Sequence, residues 1–214
     1  MEERINGSSF GRTTRVRQFQ IFLEKHRPLV VCLADAGCIR LFGLHHVPKP
    51  FAEKSQEAAG ALAKLVEKAQ NKGDATAINA DLKNLQQNFA DTIPAAQATL
   101  MAAATEFDAG RYDVASGHLN WVLKNQKEPL VQALAAQRLA VVKLQQKKYD
   151  EALSALDTKV DADYEALLLE TKGDVFAAQR KAKEAAASYE QALAKLPKDS
   201  VGRELVQMKL DSQK

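Results

Sequence analysis

A motif written three times at nearly constant spacing constrains this chain more than any other feature. The first copy runs Ala-Gly-Arg-Tyr-Asp-Val-Ala from Ala109 to Ala115, and the second Gln-Lys-Lys-Tyr-Asp-Glu-Ala from Gln146 to Ala152. The third runs Gln-Arg-Lys-Ala-Lys-Glu-Ala from Gln179 to Ala185, and helical apolar spacing follows each copy. The closing alanines are 37 and 33 residues apart. A period of about 34 residues marks a helix–turn–helix unit that cannot bury its own apolar face and must stack on its neighbours.

That period is the one of tetratricopeptide (TPR) repeats, and it predicts an all-α, TPR-like helical solenoid with an atypical N-terminal segment. Residues 1–50 form that segment and 51–214 the TPR-like domain. Within it we expect a hairpin cap over 51–91, repeats over about 94–126, 130–158 and 163–197, and a C-terminal cap helix over 199–212. Asp74 is placed to cap a helix, Pro94 to open one and Gly110 to end one. Asp199 or Ser200 is expected to cap the last. The predicted apolar stripes are Ala59, Leu62, Ala63, Val66 and Ala69 on the first helix, Ile78, Leu82, Leu85 and Phe89 on the second, and Leu205, Met208 and Leu210 on the last.

Small residues fit close helix approach. Ala103, Ala140 and Gly173 stand at equivalent points of the first helices, where a larger side chain would overpack. Tyr112 and Tyr149 are expected to wedge between the helices of their repeats. The third copy has Ala182 there and is expected to pack more loosely.

Little in the chain points to catalysis. It carries no nucleophile elbow, phosphate loop, dinucleotide fingerprint or H-E-x-x-H pair. Basic and acidic residues number 30 and 27, for a net charge of +3, a mixed surface that gives no argument for nucleic acid, and none is expected as a partner. No cofactor is expected. Cys32, Cys38, His45 and His46 could be written as a zinc set, but their spacing matches no usual finger. His118, the one histidine of the repeats, reads as a surface or packed residue, and Trp121 as a core one. Glu170 and Asp174 share a helix face one turn apart, and a solvated face is a better account of them than acid–base chemistry.

What remains is a surface. First helices line the concave side of a TPR array, which would present Leu100, Phe107, Gln137, Val141, Leu144, Glu170 and Asp174. Such a mixed apolar and acidic groove suits an extended or helical peptide.

From about Ser55 to Lys214 the chain resembles the ancillary SecYEG translocon subunit family. The likeness rests on Ala-Ala-Gln-Ala-Thr-Leu from Ala95, Ala-Ala-Gln-Arg-Leu-Ala from Ala135, Gln-Lys-Lys-Tyr-Asp from Gln146, Glu-Thr-Lys-Gly-Asp from Glu170 and Gln-Met-Lys-Leu from Gln207. The resemblance implies a non-enzymatic bacterial inner-membrane protein with a short cytoplasmic tail, one membrane helix and a periplasmic TPR-like domain. It also implies association with the SecYEG translocon and with a membrane-anchored periplasmic chaperone of the prolyl-isomerase type. A soluble TPR adaptor with another protein partner is the alternative, and an enzyme using the acidic groove a more distant one.

The family's membrane anchor should fall within residues 1–50. There the apolar stretch Leu29–Leu44 is broken by Asp35 and Arg40, and it falls short of the roughly 20 mostly apolar residues a spanning helix needs. Reading codons 17–50 one base forward permits an uninterrupted apolar run, so a pair of compensating frameshifts is one account of the segment.

Overall fold

The structure, a computed structural model, describes residues 49–71 and 73–213. The candidate anchor, Cys32, Cys38, His45 and His46 lie outside the described residues. Those described are helical throughout, with nine helices and no strand among them.

The first two helices, α1 (Lys49–Gln70) and α2 (Ala75–Asn88), form an antiparallel hairpin. The turn between them is specified locally. The Gly73 amide donates back to the Lys68 carbonyl at 2.8 Å, and the Asp74 carboxylate accepts from the Ala77 amide at 3.0 Å. Those two bonds satisfy backbone groups that helix ends leave open. On α2 the predicted face is buried, with Leu82 and Leu85 in the core. On α1 the stripe is rotated: Ala58 and Leu65 are buried, whereas Ala59, Ala63 and Ala69 face solvent. Alanine on both sides of α1 left the sequence no contrast from which to read the phase.

Three helical hairpins follow: α3 (Ile93–Asp108) with α4 (Tyr112–Asn125), α5 (Pro129–Gln145) with α6 (Tyr149–Leu156), and α7 (Ala162–Ala178) with α8 (Ala182–Lys195). A last helix, α9 (Gly202–Asp211), packs on α8. Pro94 and Pro129 sit in the first turns of α3 and α5, where no amide proton is missed. Neither Asp199 nor Ser200 caps α9 with its side chain. Val201 is the N-cap residue there, and the Ser200 carbonyl accepts from the Arg203 amide at 2.9 Å.

Each repeat turns in the same way. Gly110, Lys147 and Arg180 occupy equivalent positions with φ of 74°, 59° and 61°. The next amide then donates back five residues: Arg111 to Glu106, Lys148 to Lys143 and Lys181 to Phe176, at 2.8, 2.9 and 3.0 Å. This bond from the residue past a left-handed one ends the helix and reverses the chain.

The first helices of successive repeats pack against one another, most extensively α5 on α7, and α5 and α7 also meet the second helix of the preceding repeat. No residue of α5 is exposed. Second helices α4, α6 and α8 make no extensive contact among themselves. Four apolar clusters run along the array, from α1–α3 at one end to α8–α9 at the other.

Within repeats, the small-residue positions work as expected, with one correction. Phe107 meets Tyr112 edge to face, ring centroids 5.4 Å apart, and Leu144 and Tyr149 both pack on the second-repeat core. The third repeat lacks that wedge yet is not looser. Tyr189 stands where the earlier repeats have Leu119 and Leu156, and it is buried over Gly173, where a Cβ would lie 2.4 Å from the ring. The volume lost at Ala182 is replaced further along α8.

Candidate protein-interaction surface

The first helices α3, α5 and α7 form one layer, the one a TPR array presents as its concave surface. Helical phase decides which residues face outward from it. On α5 and α7, Gln137 and Val141 are half-buried at positions equivalent to Glu170 and Asp174, 33 residues later.

Three predicted members belong to packing instead. Leu100 is 8% exposed inside the first-repeat core, a correction to its placement in the groove. Phe107 is half-buried against Tyr112, and Leu144 is half-buried on the second-repeat core. The outward residue of α3 is Met101, next to Leu100 and 41% exposed. Gln97, Thr105 and Asp108, spaced at one helical turn around Met101, were the signal for that phase.

Glu170 and Asp174 are not the open acidic face expected. The Lys209 ammonium, from α9, donates to Glu170 Oε1 at 2.7 Å and to Asp174 Oδ2 at 2.8 Å. The Tyr189 hydroxyl donates to Asp174 Oδ1 at 2.8 Å. Burial opposes the Lys209 charge, but Asp174 and Glu170 outweigh it and hold its pKa above the ordinary lysine value. Burial, followed by the Asp174 charge, raises the Tyr189 phenol. These partners lie 15 to 39 residues from the carboxylates, and no local pattern announces them.

Sequence reading also missed a buried amide clasp. The Gln126 side chain, 4% exposed, donates to the carbonyls of Ala90 at 2.6 Å and Thr92 at 3.1 Å. Gln132 in turn donates to the carbonyls of Leu123, at 2.9 Å, and Gln126. The clasp ties the hairpin cap to the end of the first repeat. Trp121 is half-buried and packs on both the cap and the first-repeat cores. His118 is half-buried near Glu106, and burial lowers its pKa. Among the described residues no group of three His, Cys, Asp or Glu side chains is arranged to hold a metal ion.

A family profile described as a tetratricopeptide repeat-like domain matches residues 21–214. The chain is also 69% identical, over 163 residues, to the "Ancillary SecYEG translocon subunit" of Neisseria gonorrhoeae (strain ATCC 700825 / FA 1090). That alignment covers 76% of this chain and 78% of the relative. The chain belongs to the ancillary SecYEG translocon subunit family. On the first helices of this family member Met101 is exposed, Gln137 and Val141 are half-buried, and Glu170 and Asp174 are paired with Lys209. Among the described residues no helix is long and apolar enough to cross a membrane.

Proposed function

We propose that this protein is a non-enzymatic ancillary subunit of the SecYEG translocon that offers its TPR-like layer to protein partners. The carrying observation is 69% identity to the gonococcal subunit over more than three quarters of that protein. The stacked helical hairpins support it, since extended concave surfaces of this kind bind peptides and protein segments. The finer reading adds a membrane-anchored periplasmic chaperone of the prolyl-isomerase type as a second partner. The chain itself would sit in the inner membrane by one N-terminal helix, with the TPR-like domain in the periplasm. Met101, Gln137 and Val141 are the proposed contact residues on the concave layer.

Tagged chain purified from mildly solubilised native membranes should enrich SecY, SecE and SecG over an unrelated membrane protein. Val141→Lys or Met101→Lys should reduce that recovery severalfold with helicity unchanged. Recovery of a different soluble partner and no translocon component would replace the reading with that of a TPR adaptor. Protease added to spheroplasts should digest residues 51–214, and protection there would overturn the periplasmic placement.

A further inference from the structure

The end of the solenoid is closed by a short helix. Helix α9 has only ten residues, below the length at which an isolated helix is stable in water. It is joined to α8 through a Pro197-containing link and has no side-chain N-cap. Val206 and Leu210 are its buried residues, while Met208 is 64% exposed. Its hold on the third repeat combines this apolar pair with two polar anchors. Arg203 donates to the carbonyls of Leu193 and Leu196 at 2.7 and 3.1 Å. Lys209 enters between Glu170 and Asp174, its ammonium 6.0 Å from the centre of the Tyr189 ring.

We propose that α9 is a displaceable lid on a helix-binding seat at the end of the third repeat. The partner that replaces it is an amphipathic helix bearing a lysine, with aliphatic residues three positions before and one after. The resident helix states that chemistry itself, as Val206, Lys209 and Leu210. The apolar pair fills the groove beside Tyr189 and Leu193, and the ammonium answers two carboxylates that are half-buried and would otherwise face each other uncompensated. Such a seat is local to the last repeat, because each repeat of a solenoid leans chiefly on its neighbours. It stands on this chain's own residues, whether or not the outside partner is a translocon component.

Two measurements on the full chain decide the matter. Amide hydrogen exchange at neutral pH should show α9 exchanging at least tenfold faster than the core of α8, with Lys209→Gln widening the gap another tenfold and leaving α3–α6 unchanged. If α9 exchanges together with α7 and α8 as one unit, the lid does not open and the proposal fails, whatever the variant does. A synthetic peptide of residues 199–213 at millimolar concentration should then shift the NMR signals of α7 and α8 in the Lys209→Gln chain. A peptide carrying Lys209→Glu should shift them at least tenfold less at equal concentration. Equal shifts from both peptides would remove the lysine from the recognition and overturn the assignment. A dimer that forms as α9 is released would show that a second copy's α9 takes the seat, overturning the separate partner.

Discussion

Three residues with positive φ set the turns inside the repeats, and the chain answers the same geometry with two chemistries. Gly110 adopts it freely, whereas Lys147 and Arg180 hold it against steric resistance of about 1 kcal/mol or more. Lys147→Gly and Arg180→Gly should each raise stability by about 0.5–1 kcal/mol, and Gly110→Ala should lower it by about 1 kcal/mol; thermal melts of the three variants check both signs. Gly173 is confined for a different reason, the Tyr189 ring pressed against it. Gly173→Ala should destabilise by about 1–3 kcal/mol through overpacking. Combining it with Tyr189→Leu recreates the alanine–leucine pairs Ala103–Leu119 and Ala140–Leu156 of the other repeats. Denaturant unfolding of the double variant should therefore show less destabilisation than the summed singles, by about 0.5–3 kcal/mol. The sequence showed Gly173 as a close-approach site, yet it gave no sign that a tyrosine 16 residues later needed the space.

Helices α1 and α9 exist where the apolar periodicity puts them, and both are turned by about one residue from the phase it suggested. On α1 the reason is composition: alanines lie on every side of it, so the difference between buried and exposed faces is weak in the sequence. Neighbours choose the phase, which is why Leu100 entered the core while Met101 took the surface. On α2, where Leu82 and Leu85 alternate with Lys83, Asn84 and Gln86, the contrast is strong and the face was legible. Gln126 supplies an element-scale test, because its amide bridges two segments. Gln126→Ala leaves the Ala90 and Thr92 carbonyls without that donor and should cost about 1–3 kcal/mol, with Trp121 fluorescence following the loosened junction. The docking of α9 supplies a second, in pH. Lys209 has a raised pKa in the fold, so its contribution is complete below the unfolded lysine value and disappears as pH climbs through the folded one. Tyr189, also raised, acts in the same direction, because the unfolded phenol loses its proton first. Stability should therefore fall from about pH 10 upward, and Tyr189→Phe should flatten that fall in circular dichroism titrations.

Across the whole molecule, helices touch mainly their neighbours, so the effect of a substitution depends on how far it lies from an end. Helix α5 presents no exposed residue; Ala136→Leu there should lower the global unfolding free energy by about 1–3 kcal/mol. Met208→Ala on the outer side of α9 should change it by less than about 0.5 kcal/mol. Paired denaturation curves compare the two. The repeat period made the architecture legible because it depends on spacing alone. The proposed contact surface was less so, since Glu170 and Asp174 take their meaning from Lys209, beyond the reach of any one repeat. The unequal layering of the array has a mechanical side as well. First helices are pressed together, most firmly α5 on α7, whereas α4, α6 and α8 stand apart from one another. Bending that spreads the outer row breaks no extensive contact within it, but works against the contacts of α4 with α5 and of α6 with α7. The curvature of the array is thereby set by those second-to-first-helix contacts, while the packing inside each hairpin sets the shape of the repeat itself.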